Sequence, residues 1–237
     1  MKVSLNKIKN LTKKLLKGDY MELKINPDVK LAYPDLKVAI IEIRLSEEPK
    51  FNQEINDLKK ELEEKIRKDY KNPENLSRII KYHSFYKKFD SKVPMEFQIR
   101  SILNNKGIPT FNPIVTCLFM AELKNIILTA GHDLDKLSEE IEVLCSDGAE
   151  EYTKINGKIQ KLKKNDIFAK NNLNIISSVL YGPDSKTKIT NETKNCLFMC
   201  YSFGLNEEDL RNHLNDLAGY LKIFVKDNIT INEIKIV

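Results

Sequence analysis

The chain has 237 residues, 41% of them hydrophobic, and a formal net charge of +5. That length supports one large domain or two small ones sharing a core. No apolar run approaches the roughly 18–20 residues that cross a bilayer, and the basic N-terminus lacks the apolar stretch and cleavage site of a signal peptide, so the protein is expected in the cytoplasm.

Residues 1–20 read as a basic amphipathic helix, with Val3, Leu5, Ile8, Leu11, Leu15 and Leu16 on one face and Gly18-Asp19 at its end. Such a helix either packs on the body or tethers the chain to RNA or a membrane surface. The next segment, "MELKINPDVKLAYPDLKVAIIEIRL", predicts two strands around a turn-like centre that carries Pro27 and Pro34. Glu47 to Tyr70 predicts one charged helix with the stripe Ile55, Leu58, Leu62 and Ile66. A further helix is expected from Pro73 with Asn72 as its cap, and another from Pro94 to about Asn104. Tyr86, Phe89 and Phe97 are expected in the core, base stacking being the alternative. Asn112 caps a helix that starts at Pro113 and is apolar nearly all round, so it should be buried.

From Glu140 the pattern turns to strands. "EEYTKINGKIQKL" predicts a hairpin at Asn156-Gly157, and "DIFAK", "LNIISSVLYG" and "NCLFMCYSFG" continue the sheet. Asn206 caps a last helix, and "ITINEIKIV" ends the chain as a strand. Cys117, Cys145, Cys196 and Cys200 sit in apolar stretches and read as buried thiols; the three histidines lie far from them in sequence, so no metal site is expected.

The basic excess is local. Residues 1–20 carry six lysines and one aspartate, leaving 33 basic and 33 acidic residues in the rest of the chain. Within that neutral body Asp133 to Glu151 is acidic, while Lys154 to Asn195 holds nine lysines against Asp166, Asp184 and Glu192. Lys158, Lys161, Lys163, Lys164, Lys186 and Lys188 are therefore candidates for meeting RNA phosphates, or they are the solvated face of a lysine-rich hairpin. Among them lies "GPDSKTKITNETKN", fourteen residues of short hydrogen-bonding side chains with Ile189 as the clearly apolar one. Its threonines, Thr187, Thr190 and Thr193, either cap local backbone amides or line a pocket.

Four passages in order resemble one family: "NPDVKLAYPDLKVAIIEIR", "IPTFNPIVTCLFMAELKNIILTAGHDLDKL", "DGAEEYTKING" and "VLYGPDSKTKITNETKNCLFMCYS". Together they cover roughly residues 21–225, and they look like the B3/B4 domain of the bacterial phenylalanyl-tRNA synthetase β subunit, and still more like the free-standing proteins that consist of little else. The resemblance implies an α+β fold with two sheet-containing lobes, occupying residues 21–237 behind the N-terminal helix. It implies a cytoplasmic protein that binds the aminoacylated 3′ end of a tRNA and hydrolyses a mischarged ester in trans. It implies no cofactor and no membrane span, and at this length not a complete synthetase.

The same resemblance places a pocket between "TAGHD" and "GPDSKT". Thr129, Ala130, Asp133, Ser185, Thr187, Thr190 and Thr193 would line it, and His132 and Asp184 would be the catalytic candidates. Two departures bear on that chemistry: Ala130 stands where the family usually has a histidine, with His132 two residues later, and Pro183 stands where the family has a glutamate, with Asp184 beside it. An activated ester needs a positioned water and a polarised carbonyl and not a full nucleophile triad, so hydrolysis is compatible with such a site. The competing reading is a non-catalytic module that binds RNA, a nucleotide or an amino acid. Asp133 and Asp135 also have a plain structural reading, as caps of a turn.

Overall fold

The computed structural model describes residues 21–237, and the amphipathic segment expected over residues 1–20 lies outside the described residues. The fold is α+β. After strand β1 (Glu22–Ile25) the centre read as a turn is a short helix, α1 (Pro27–Ala32). Pro27 occupies its first turn, where a proline costs no hydrogen bond, and the Asn26 side chain accepts from the Asp28 amide. Strand β2 (Leu36–Leu45) follows, then α2 (Gln53–Asp69), which begins later than expected because Pro49 intervenes and Asn52 supplies the cap to the Ile55 amide. Pro73 opens only a 3-10 turn, and Asn72 makes no side-chain cap bond there; helix α3 (Ser77–Tyr86) starts beyond it. Helices α4 (Pro94–Leu103) and α5 (Pro113–Asn125) come next, the second capped by Asn112 on the Val115 amide.

The strands form two principal sheets. Strand β3 (Leu128–Asp133) precedes β4 (Glu140–Cys145), the hairpin β5 (Glu151–Thr153) and β6 (Ile159–Lys161), then β7 (Ile167–Asn171), β8 (Asn174–Ser178), the short β9 (Gly182–Pro183) and β10 (Asn195–Phe203). Helix α6 (Glu207–Val225), capped by Asn206 on the Asp209 amide, leads to β11 (Ile229–Ile231) and β12 (Lys235–Ile236). The first sheet runs β1-β4-β7-β8-β9, with β1 parallel to β4. The second runs β11-β2-β10-β3, with β12 also paired to β2, and all its pairs are antiparallel. Gly157 takes a φ of +81° in the predicted hairpin turn, where a glycine pays no steric cost.

Strand alternation divides the second sheet's faces. Thr129 reaches His213 of α6, and a side chain at Gly131 would meet Leu118 of α5, so that face packs on helices. On the other face, Tyr201 of β10 joins its hydroxyl to Ser177 of β8, 2.9 Å away, so it looks at the first sheet. Cys117, Cys196 and Cys200 are buried and Cys145 is half-buried, all as free thiols. Tyr86 and Phe89 are core residues, but Phe97 is 60% exposed on α4, because Met95, Ile99 and Ile102 supply that helix's buried side. Among the described residues no helix is long and apolar enough to cross a membrane.

Two carboxyls lie inside this core. Glu122 accepts from Gln98 Nε2 at 2.9 Å and the Thr129 amide at 3.0 Å; Asp166 accepts from Ser178 Oγ at 2.6 Å and the Leu180 amide at 3.3 Å. Burial pushes each up to about 7, from ordinary values of 4.5 and 3.8. At these two groups the folded chain keeps protons that the unfolded chain releases, so their contribution to stability falls as pH rises from about 4 to about 7, while the buried His132 and His213, pushed down to about 4, contribute with the opposite sign up to about 6.5. Urea midpoints across that window should therefore be read as differences: relative to the native chain, Glu122→Gln and Asp166→Asn should each gain progressively as pH rises; a difference that does not change with pH in both would contradict the assignment. Asn112→Ala should cost about 1 kcal/mol in the same assay, the usual worth of a helix cap.

Candidate functional site

Residues 184–194 carry the chain from the edge of the first sheet to β10 of the second. No strand accompanies them along that path, so short side chains take over the hydrogen bonding of their backbone. The Asp184 carboxylate accepts from the Lys186 amide at 2.8 Å, the Thr187 amide at 3.2 Å and the Thr187 hydroxyl. Thr193 Oγ1 accepts from the Thr190 amide at 2.9 Å and donates to Asp133 Oδ2 at 3.0 Å. The Glu192 amide donates to Thr190 Oγ1 at 3.3 Å. The threonines thus satisfy an irregular loop and not a helical turn.

Both ends of the loop are stitched to sheets. The Asp184 amide donates to Ile176 O of β8, the Ser185 amide donates to Thr153 O of β5, and Asp184 forms a bridge with Lys154. Further on, the Asp133 amide donates to Thr187 O at 2.7 Å, and Lys188 pairs with His132. Asn195 Nδ2 donates to the Asp135 carboxylate, and the Asp133 carboxylate caps the Asp135 amide and pairs with Lys136. Ile189 lies over Gly131, where an added Cβ would stand 2.7 Å from its Cδ1. The two passages singled out in the sequence are therefore in direct contact.

His132 is the chemically informative member. Its Nδ1 lies 2.8 Å from Thr187 Oγ1. The Thr187 hydroxyl hydrogen is committed to Asp184, a carboxylate that can only accept, so Thr187 must accept from Nδ1–H. That fixes the tautomer and leaves Nε2 as a bare lone pair, and Nε2 has no hydrogen-bond partner among the described residues. His132 is 0% exposed, and burial pushes its pKa down to about 4, so the ring is neutral at pH 7. Ala130 shares its strand face, whereas Thr129 points the other way, donating to Ile127 O with His213 Nε2 2.7 Å from its oxygen.

The other predicted residues are more scattered. Ser185 is half-buried; Lys158, Lys161, Lys163, Lys164 and Lys186 are exposed, and Lys188 is half-buried in its bridge to His132. Lys163 is anchored through its ammonium on Phe89 O at 2.9 Å, which removes it from any shared phosphate cradle. Among the described residues, no group of His, Cys, Asp or Glu is arranged to hold a metal ion.

The buried Asp184 and the exposed Lys186 also border a cleft of about 580 Å³ between the outer face of the first sheet and the β5–β6 hairpin. Tyr152, Phe168 and Ile175 line it, with Ile159 and Leu173. The sequence reading missed this cleft. The one available signal was the alternation of "DIFAK", which puts Phe168 and Lys170 on one face of β7, while nothing local reveals that the hairpin folds over that face.

The B3/4 domain family model matches residues 81–216. A crystal structure of an N-terminal fragment of the phenylalanyl-tRNA synthetase β-subunit from Pyrococcus horikoshii is similar with a TM-score of 0.48 and 13% sequence identity, over 89% of this chain and 50% of that one. The chain thus spans about half of that fragment's length. No curated protein matches it. Since residues 81–216 are more than half of its length, the protein belongs to the B3/4 domain family.

Proposed function

We propose that this B3/4 protein binds the aminoacylated 3′ end of a tRNA where the "TAGHD" strand meets the threonine loop, and hydrolyses the ester in trans. The observation that carries this reading is the chain of contacts from Asp184 through Thr187 to His132, which holds one imidazole nitrogen without a partner among the described residues. A base oriented by a second group, itself held by a third, is the arrangement that proton abstraction needs. Nε2 takes a proton from the attacking water as its oxygen bonds to the ester carbonyl. The resulting imidazolium is stabilised through Nδ1–H by Thr187 and the carboxylate behind it, and the proton then passes to the departing ribose oxygen. Entry of water and substrate relieves the burial that depresses the pKa, moving His132 back toward the ordinary 6.5, where it is a better base.

For this to happen the loop must move. Apart from its backbone bonds at Asp184, Ser185 and Thr187, it is held by polar side-chain bonds and one apolar anchor, Ile189, and hydrogen bonds of this kind contribute modestly because water can replace them. A second reading, a module that binds and does not cleave, is favoured by one fact: His132 is fully buried between the sheets.

A panel of charged tRNAs incubated with the pure full-length protein separates the two. At least one ester should decay faster than in buffer, and His132→Ala should lower that rate on the order of 100-fold or more while leaving tRNA affinity within a few-fold. The rate should rise with pH as His132 loses its proton and fall as pH drops through its pKa. Binding without decay establishes the second reading, and absence of both removes tRNA as the ligand. If phosphates meet the hairpin, replacing Lys158, Lys161 and Lys186 by alanine should flatten the slope of log affinity against log salt by about 2; an unaltered slope places the contacts elsewhere.

A further inference from the structure

We infer that the cleft on the outer face of the first sheet is a second site, for a free apolar α-amino acid, and that its occupancy is felt at His132 through Asp184 and Thr187. The site is separate from the seam that holds His132: in β7, Phe168 and Lys170 face the cleft, whereas Ile167 and Ala169 face the main core. Its volume of about 580 Å³ falls within the range of small-molecule sites. The floor is aromatic, formed by Tyr152 and Phe168.

Two rim residues point to an apolar occupant. Leu173, at the β7–β8 turn, is 90% exposed, and Ile159, on the hairpin, is 71% exposed; both border the cleft. Large apolar side chains at opposite edges of one hollow gain by covering a ligand of the same character. The remaining lining carries both charge signs. Five charged residues border the cleft; Glu150 is engaged by Ser146 and Asp184 by the Lys186 and Thr187 amides and the Thr187 hydroxyl, which leaves Glu151, Lys170 and Lys186, none with an ion pair among the described residues. A carboxylate beside two ammonium groups over an apolar floor is complementary to a zwitterion with an apolar side chain: ammonium toward Glu151, carboxylate toward Lys170 and Lys186. A purely anionic or purely cationic ligand would leave one set facing its own sign.

The coupling follows from Asp184. Asp184 belongs to the cleft wall, and its buried carboxylate accepts from the Thr187 hydroxyl, whose oxygen accepts from His132. The neighbouring Ser185 amide is tied to Thr153 O in the same cleft wall. A ligand that displaces β5 therefore moves Ser185 and Asp184 with it and changes the hydrogen bond that orients the imidazole.

The test needs no tRNA, so its outcome is independent of the hydrolase reading. Calorimetry with free leucine, isoleucine, methionine and phenylalanine should show saturable binding, with alanine, glutamate, lysine and adenosine at least 10-fold weaker. Leu173→Ser and Ile159→Ser, both on the exposed rim, should each weaken leucine several-fold and together at least 10-fold. Leucine should also shift the His132 ring ¹⁵N resonances, and that shift should vanish in Thr187→Val while leucine affinity stays unchanged. No binding by any amino acid, tighter binding of adenosine or a charged amino acid, or affinity untouched by both rim variants overturns the site. A His132 shift that persists in Thr187→Val overturns the coupling.

Discussion

The structure depends on how one stretch of backbone crosses between two sheets. Between Pro183 and Asn195 the chain leaves β9 and reaches β10 with only isolated bridges at Asp184 and Lys188, and Asp184, Thr187 and Thr193 are buried along that path. A buried backbone amide without a partner costs as much as a lost hydrogen bond, so a crossing of this kind has to carry its own acceptors. Aspartate, threonine and asparagine are the side chains short enough to do so. Asp184 serves Lys186 and Thr187, Thr193 serves Thr190, and each is in turn fastened to a sheet. The polar composition that marks this segment in the sequence is first of all the solution to that constraint, and the arrangement of His132 follows from it.

The same crossing gives the candidate site its character. Fastening the loop at Asp184 and Thr187 takes up both Asp184 oxygens and the Thr187 hydroxyl, which leaves His132 in a defined tautomer with one nitrogen unspent. An unsatisfied buried nitrogen is uncommon and costs stability, so its presence in the segment that resembles a family's substrate site is a reason to connect it with chemistry. The protein is a B3/4 domain in which the Asp184 carboxylate, through Thr187, holds His132.

How much of this was legible depends on how far apart the partners lie. Asn112-Pro113, Asn206 and Asn156-Gly157 announced their helices and hairpin because a cap or a tight turn is settled within a few residues. Pro27 misled in the same local way, since a proline in a first helical turn and a proline in a loop look alike without the Asn26 cap geometry. Phe97 shows the limit of helical stripes: on a short helix two faces each hold apolar residues, and tertiary packing chooses between them. The meeting of "TAGHD" with "GPDSKT" was readable only through the family resemblance, because His132 and Thr187 are 55 residues apart. The burial of His132 and the cleft beyond Asp184 were not readable at all, since both follow from the hairpin and the loop closing over sheets that are themselves assembled from distant strands.

The central claim is that Asp184, through Thr187, holds His132 as the Nδ1–H tautomer with Nε2 unprotonated. Nitrogen-15 NMR of the histidine side chains at pH 7 reads this directly. The account predicts a His132 ring with a protonated Nδ1 and a pyridine-type Nε2, and a mixture of tautomers once Thr187 is replaced by valine. A protonated Nε2 in the native protein, or an imidazolium, would contradict it.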